Sequence, residues 1–366
     1  MDFTWTMQAI TNRILRSAVE TFMLNGSRAR LGYVNSVVAA GGYQWSYLEK
    51  HARSEHDDGE RGVVDASTQP VVVFVHGFSS EKDSWMSVAK HVPSSARVLI
   101  PDLPGHGMTS PMLPSGDYRA MAQVRNLKSF LDATVGPDTP VHLVGCSMGG
   151  LISGVFAATY PHRLHSLTLI CPAGVSMPRK SPVLKLYEDD GINVMRGGTV
   201  DELTDMFQYI AYRPPGTTME KPTGMRRMLL SVFANYRVKP LLSTEYPFIR
   251  PCSIIYPFTY PYVLSINQAE RMPVMDKVLA DMMADQTALE SQLHKIQAKT
   301  VVLWGQNDQI LDVSCLERMD ALNAEKVVIP LCGHIVQQSY PDICAAYINR
   351  FLEDTPVEAT AAMALA

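Results

Sequence analysis

Residues Val141–Gly150 read VHLVGCSMGG, a mostly apolar run that enters a serine set among three glycines with no polar turn between. A turn alone needs one glycine. A strand that folds sharply back into a helix needs more, because side chains two before and two after the corner would collide as the two elements close together. Gly145-Cys146-Ser147-Met148-Gly149 fits that steric pattern, G-x-S-x-G. The run VHLVGC supplies the strand, and MGGLISGVFAATY, stopped by Pro161, supplies the helix. Such a corner lifts the serine hydroxyl clear of the sheet, where a carbonyl can reach it. Ser147 is therefore the expected nucleophile. The bland alternative is a close-packed strand–helix junction with an incidental serine. Cys146 is a rival on paper, but it holds the second position of the corner and is expected to pack inward.

The same alternation extends outward in both directions. VVVFVHG, RVLIPDLPGHG and LHSLTLICPAG are apolar runs that end in glycine turns, with amphipathic stretches such as YRAMAQVRNLKSFLDATV between them. KTVVLWGQND and EKVVIPLCGH resume the rhythm before a last helix, PDICAAYINRFLED. Apolar strands alternating with helices predict an α/β fold, a mostly parallel central sheet flanked by helices. Near the start, GYQWSYLEK alternates like a strand, and polar residues 51–70 are expected to form a long hairpin loop. The rhythm breaks over 175–293, which is rich in Met, Tyr and Pro and helical in places. We expect a helical lid (cap) there, inserted after the sixth strand. The core then comprises 41–174 and 294–354, preceded by an amphipathic helical segment at 1–40 and followed by a flexible tail at 355–366.

Composition narrows the function class. The chain has 366 residues, 46% of them hydrophobic, enough for a large core. A net charge of −4 without a long basic run gives no electrostatic case for nucleic acid. The 20 methionines would make an apolar pocket adaptable. The six cysteines form no C-x-x-C pair and have no metal-ligand spacing with histidine, so buried thiols in a reducing compartment are expected, with no metal or other cofactor. No apolar run approaches the ~18 residues that span a bilayer. Trp5–Leu24 does carry apolar residues at helical spacing, with Arg13 and Arg16 among polar ones. It is expected to pack on the domain or to lie in a membrane surface; an organelle presequence is weakened by Asp2 and Glu20.

A serine nucleophile needs a base, and the base an orienting acid. In the chain order Ser, Asp, His, two strand ends qualify: Asp308 after VVLWGQN and His334 after VVIPLCG. Loops at the carboxyl edge of a parallel sheet bring such residues together. Asp312 competes with Asp308 for the acid role, but lies further from the strand end and is placed to cap a helix near Val313. Asp102 is too early in the chain and is expected to support the LPGHG turn; His76 and His106 are expected to be partners of the loops. The oxyanion donors are expected to be the backbone N–H groups of Phe78 and Met148.

Together His76-Gly77-Phe78, DLPGHG from Asp102, the Ser147 corner, WGQND ending at Asp308 and CGH ending at His334 resemble the α/β-hydrolase superfamily. The resemblance covers about Gly42 to Leu352. HGFSSEKDSW, HLVGCSMGG, LICPAG and QILDVS are similar to the monoacylglycerol lipase subfamily of α/β-hydrolase-domain proteins, a membrane-associated group. It implies the α/β-hydrolase fold, a serine ester hydrolase with Ser147, Asp308 and His334 as triad, Phe78 and Met148 as oxyanion donors, and a lipid ester such as a monoacylglycerol as substrate. There are two departures. Those relatives carry an N-terminal transmembrane helix where this chain has the amphipathic Trp5–Leu24, and the loop Arg53–Ser67 is long. The expected location is intracellular, cytoplasmic or peripherally membrane-bound. Met206, Phe207 and Tyr209 are expected either to line an acyl pocket or to pack the lid on the core. Two alternatives stand beside this reading: the same machinery acting on small esters or on carbon–carbon bonds of diketones, and a hydrolase-fold binding protein that turns nothing over.

Overall fold

The structure is a computed structural model that describes residues 25–52, 69–195, 200–217, 221, 223 and 268–353. The amphipathic segment Trp5–Leu24, the polar loop 53–68, the middle of the expected lid and the tail beyond Glu353 lie outside the described residues.

Eight strands form one sheet: β1 (Val34–Ala40), β2 (Tyr43–Lys50), β3 (Val71–Val75), β4 (Arg97–Pro101), β5 (Val141–Cys146), β6 (Leu164–Ile170), β7 (Lys299–Gly305) and β8 (Ala324–Ile329). Their order is β1-β2-β4-β3-β5-β6-β7-β8. β1 pairs antiparallel with β2 and β2 antiparallel with β4; the other pairings are parallel. β3 and β5 are buried at every position, as apolar strands covered on both faces must be.

Two expectations need correction. The loop after β2 is not a hairpin loop: β4 lies between β2 and β3, so the chain crosses over instead of turning back. Val34–Ala40, expected to close a helical segment over 1–40 ahead of the core, instead form the edge strand of the core sheet, hard to recognise because every one of its side chains stays exposed or half-exposed.

Three flanking helices show why the sheet is covered. Helix α1 (Ala120–Thr134) buries Val124, Leu127, Phe130 and Leu131, one stripe at helical spacing. Phe130 packs at a tilt against Trp45 of β2, ring centroids 4.9 Å apart; burying such a ring contributes about 1.5–3 kcal/mol. Helix α2 (Met148–Thr159) starts at the corner after β5. It is almost wholly buried, so its small residues sit between sheet and neighbours. The last helix, here α6 (Pro341–Glu353), buries Cys344, Ala345, Ile348 and Phe351.

Between β6 and β7 lie three further described helices: α3 (Pro182–Asp190), α4 (Val200–Ile210) and α5 (Gln268–Ala284). α3 has a serine cap, Ser181 Oγ accepting from Leu184 N, and ends at Gly191 in the left-handed conformation. α5 ties back to the core by capping α1 from a distance. Asp281 accepts from Tyr118 N at 2.8 Å and Asp285 from Ala120 N at 2.6 Å, so two N–H groups about the start of α1 are met by carboxylates 163 and 165 residues away. No helix among the described residues is long and apolar enough to cross a membrane.

Candidate active site

Ser147 occupies a backbone conformation that side-chain-bearing residues avoid, φ 56° and ψ −121°. Its surroundings hold it there. Ser147 N donates to Ile170 O at 2.9 Å, and Ser147 O accepts from Ala173 N and Leu151 N, each at 3.0 Å. The glycines of the corner are sterically required. A Cβ on Gly145 would collide with the Gly149 carbonyl and Ser153 Oγ; one on Gly149 would collide with the carbonyls of Val75 and His76. Ser147 itself remains partly exposed at the carboxyl end of β5.

Asp308 follows β7 and His334 follows β8. His334 Nδ1 lies 2.7 Å from Asp308 Oδ2, and both residues are buried. The other carboxylate oxygen accepts from Ile310 N at 2.8 Å and Leu311 N at 3.0 Å, which fixes the plane of the acid. Asp312 is otherwise engaged. It caps the 3-10 helix Val313–Arg318 through Ser314 N and pairs with Arg179 Nε at 2.9 Å. The histidine loop is joined to the corner through Cys146, whose thiol donates to Gln337 Oε1 at 3.5 Å. Burial pushes the Cys146 thiol far above its ordinary value, so it stays protonated and packed.

The loop expected to carry one of the oxyanion donors, Phe78, follows β3. A Cβ placed on Gly77 would sit 3.1 Å from Ser147 Cβ, so the loop touches the corner directly. Neither Phe78 N nor Met148 N has a backbone acceptor among the described residues. Two histidines fasten this loop to the turn after β4. His76 Nε2 accepts from Leu103 N at 3.0 Å, and His106 Nε2 accepts from Ser79 N at 3.3 Å. Burial lowers the His76 pKa to about 4, so this imidazole is a neutral fastening at pH 7. Asp102 supports the turn. It accepts from Lys82 N at 2.8 Å and Met108 N at 2.9 Å and pairs with Lys82 Nζ. Burial works against its charge, but Lys82 holds its pKa below the usual value.

One feature of the site was not legible in the sequence: α4 reaches the histidine loop by its backbone. Ile210 O accepts from His334 N at 2.9 Å and Ile335 N at 3.3 Å. Met206 on this helix is buried, while Phe207 and Tyr209 are half-buried. The close approach requires Gly333, where a Cβ would sit 2.7 Å from Tyr212 N and 2.8 Å from Ile210 O. Gly333→Ala is expected to push the end of α4 off the histidine loop. Overpacking of this kind costs about 1–3 kcal/mol; thermal unfolding and kcat measured together should both fall, and an unchanged kcat would show that His334 tolerates the shift.

Among the described residues, one group brings metal-type donors into mutual reach: Cys171, Asp308 and His334, within 4.8 Å of one another and all buried. Two of those donors, His334 Nδ1 and Asp308 Oδ2, already share a hydrogen bond. Burial and the nearby Asp308 charge keep the Cys171 thiol protonated, which makes it a poor ligand. The donor set suits proton handling better than metal binding.

Comparisons with known proteins speak to the family and the fold. The family described as "alpha/beta hydrolase fold" matches residues 70–195. The chain is 30% identical over 293 residues to the protein named monoacylglycerol lipase abhd6-B of Xenopus laevis, covering 78% of this chain and 75% of that one. It is 28% identical over 296 residues to monoacylglycerol lipase ABHD6 of Homo sapiens, with 78% and 75% covered. Among solved structures, a bacterial membrane phospholipase A superposes with a TM-score of 0.70 at 23% identity, covering 96% of this chain and 94% of that one. The 2-hydroxy-6-oxo-6-phenylhexa-2,4-dienoate hydrolase of Rhodococcus sp. strain RHA1 gives 0.60 at 18% identity, with 88% and 99% covered. These last two likenesses speak for the fold alone. With the strained serine corner, the crossover order of the sheet and a curated relative matched over three quarters of its length, the chain belongs to the α/β-hydrolase family.

Proposed function

We propose that this serine ester hydrolase cleaves monoacylglycerol to fatty acid and glycerol through an acyl-enzyme on Ser147. The observation that carries the chemistry is the buried Asp308–His334 pair after β7 and β8, on the same carboxyl edge of the parallel sheet as a serine held at φ 56°. The lipid substrate is supported by relatives that bear the name monoacylglycerol lipase.

In this reading His334 Nε2 takes the proton of Ser147 Oγ as the oxygen attacks the ester carbonyl. Asp308 holds the imidazole with its proton on Nδ1 and stabilises the imidazolium that forms. The negative charge developing on the carbonyl oxygen is met by the N–H groups of Phe78 and Met148. His334 then returns the proton to the leaving glycerol oxygen. A water activated by the same imidazole releases the fatty acid in the second half. Segment 175–293 serves as the lid over the core formed by 41–174 and 294–354, and Met206, Phe207 and Tyr209 contribute to the acyl pocket. Trp5–Leu24 would hold the enzyme at a membrane surface, where its substrate resides.

Each buried methylene contributes about 0.8 kcal/mol, so specificity should climb with acyl length. A series of monoacylglycerols and nitrophenyl esters from short to long chain is expected to show kcat/KM rising roughly three- to fourfold per methylene until the pocket is filled. A flat series would remove the lipid assignment and favour a small-ester hydrolase. Turnover of a ring-cleavage diketone in place of esters would favour carbon–carbon bond cleavage.

A further inference from the structure

The loop after β3 runs into a short 3-10 helix, Lys82–Trp85, whose four residues are all buried. Two of them are charged, and each is met from another part of the chain. Lys82 Nζ lies 2.5 Å from Asp102 Oδ2, in the turn after β4. Asp83 is gripped by Arg28: Nε donates to Oδ1 at 2.8 Å and Nη2 to Oδ2 at 2.5 Å. Two parallel bonds between guanidinium and carboxylate fix orientation as well as distance. The side chains are 12% and 5% exposed, so the fork is shielded from solvent. Burial works against the Arg28 charge, but Asp83 outweighs it and holds the guanidinium pKa above its ordinary value.

Arg28 comes from ahead of the sheet, in the short helix Asn25–Arg30. That helix buries no residue of its own, so apolar packing does not account for its place. Polar ties do. Arg28 O accepts from Tyr33 N at 2.8 Å, and the Tyr33 hydroxyl donates to Ala89 O at 3.1 Å, in the helix Met86–Ala89 that continues from Trp85. Arg28 Nη1 also donates to Asn25 Oδ1 at 3.2 Å. The guanidinium is therefore held from its own side, and it can place Asp83 instead of following it.

We propose that Arg28 is a positioning residue for the Phe78 N–H: its fork on Asp83 holds the far end of the loop after β3, while Asp102 holds the neighbouring Lys82. The role rests on the catalytic reading given above. The near end of the loop is fixed by β3 and by His76, which accepts from Leu103 N, and the middle by His106, which accepts from Ser79 N. Asp83 follows Phe78 by only five residues. The turn bonds Ser80 N to Gly77 O at 3.3 Å and Ser84 N to Glu81 O at 3.1 Å stiffen that stretch, so a shift at Asp83 is passed back toward Phe78. Without Arg28, Asp83 is a buried carboxylate beside Lys82, the cation that Asp102 already uses. Two carboxylates would then compete for one ammonium, and removing one partner of a buried pair is costly. The segment relaxes by turning Asp83 toward solvent, which draws Phe78 away from the developing oxyanion.

The test uses the full chain and a soluble ester, with working serines counted at the end point of fluorophosphonate labelling and Ser147→Ala as blank. Arg28→Met is expected to lower kcat per labelled site about fivefold, a fraction of the 10²- to 10³-fold cost of losing an oxyanion donor outright, with KM within about twofold. A trifluoromethyl ketone, whose adduct with the serine carries the oxyanion, should bind about fivefold more weakly, because it reports transition-state binding and KM does not. A purely structural role would reduce the number of labelled sites and leave both quantities per site unchanged. Arg28→Lys keeps the charge but not the fork and should keep about half the wild-type kcat. Asp83→Leu should lose as much as Arg28→Met, and the double variant no more than either, since coupled partners are not additive. If Arg28→Met does not fold, Asp83→Leu and the double variant carry the same test. Unchanged kcat and ketone affinity per labelled site in Arg28→Met or Asp83→Leu overturn the positioning role alone, as does a fall in kcat without a fall in ketone affinity, or a double variant with the two losses multiplied. A wild-type chain that neither labels nor turns over ester overturns the catalytic reading and the positioning role with it.

Discussion

Ser147→Ala should lower kcat by 10⁴- to 10⁶-fold, as loss of the nucleophile does in other triads, while the fold stays intact. The hydroxyl stabilises nothing in the fold that would be lost with it. No hydrogen bond to a protein atom is recorded for Ser147 Oγ among the described residues, and the neighbouring corner is held by backbone bonds to Ile170, Ala173 and Leu151. Ser147→Gly should be equally inactive but more stable than Ser147→Ala. At φ 56° and ψ −121° a Cβ is strained, and such strain costs about 1–3 kcal/mol. Glycine removes it and returns roughly 0.5–1 kcal/mol in chain entropy, for a net gain of about 0.5–2 kcal/mol. Thermal unfolding of the two variants side by side measures the difference. Equal midpoints would mean that the corner is not strained by its side chain, and the steric account of the motif would have to be given up.

That account also explains which parts of the site were legible in the sequence. The corner is local: its glycines lie within two or three residues of Ser147, and the collisions that demand them involve Ser153, Val75 and His76 in the elements expected on either side. Asp308 and His334 were legible because each ends an apolar run, and a parallel sheet gathers strand ends on one edge. The supports of the loops were not legible. Glu81-Lys82-Asp83 has the composition of a solvated loop, and nothing local says that the partners of Lys82 and Asp83 sit at 102 and 28. The caps of α1 come from Asp281 and Asp285, where a local reading looks for a capping side chain at Arg119 and finds none. The contact between Ile210 O and His334 N is made by backbone, which leaves no trace in residue type except Gly333. The crossover of β2 past β3 onto β4 is equally silent, because pairing order depends on the whole sheet and not on the strands one at a time.

The choice between the two aspartates is the sharpest separate test of the catalytic reading. Asp308→Asn keeps the size of the side chain, but its amide can turn an N–H toward His334 Nδ1 and so favour the wrong tautomer. In the serine protease precedent that change costs about 10⁴-fold in kcat, and the same order is expected here. Asp308 also accepts from Ile310 N and Leu311 N, and the asparagine oxygen can keep those two bonds only by aiming its NH₂ at the imidazole. The backbone bonds therefore enforce the inactive orientation. Asp312→Asn should behave differently. Its Oδ1 caps Ser314 N and its Oδ2 pairs with Arg179, a side chain largely in solvent. Asparagine caps nearly as well as aspartate, and an exposed ion pair contributes about 0–1 kcal/mol. The Asp312→Asn enzyme should keep its kcat within about threefold and lose no more than about 1 kcal/mol of stability. Measuring kcat and the unfolding midpoint for both variants separates the roles; an inactive Asp312→Asn beside an active Asp308→Asn would move the acid to residue 312 and require a histidine loop arranged otherwise than by the 2.7 Å bond to Asp308.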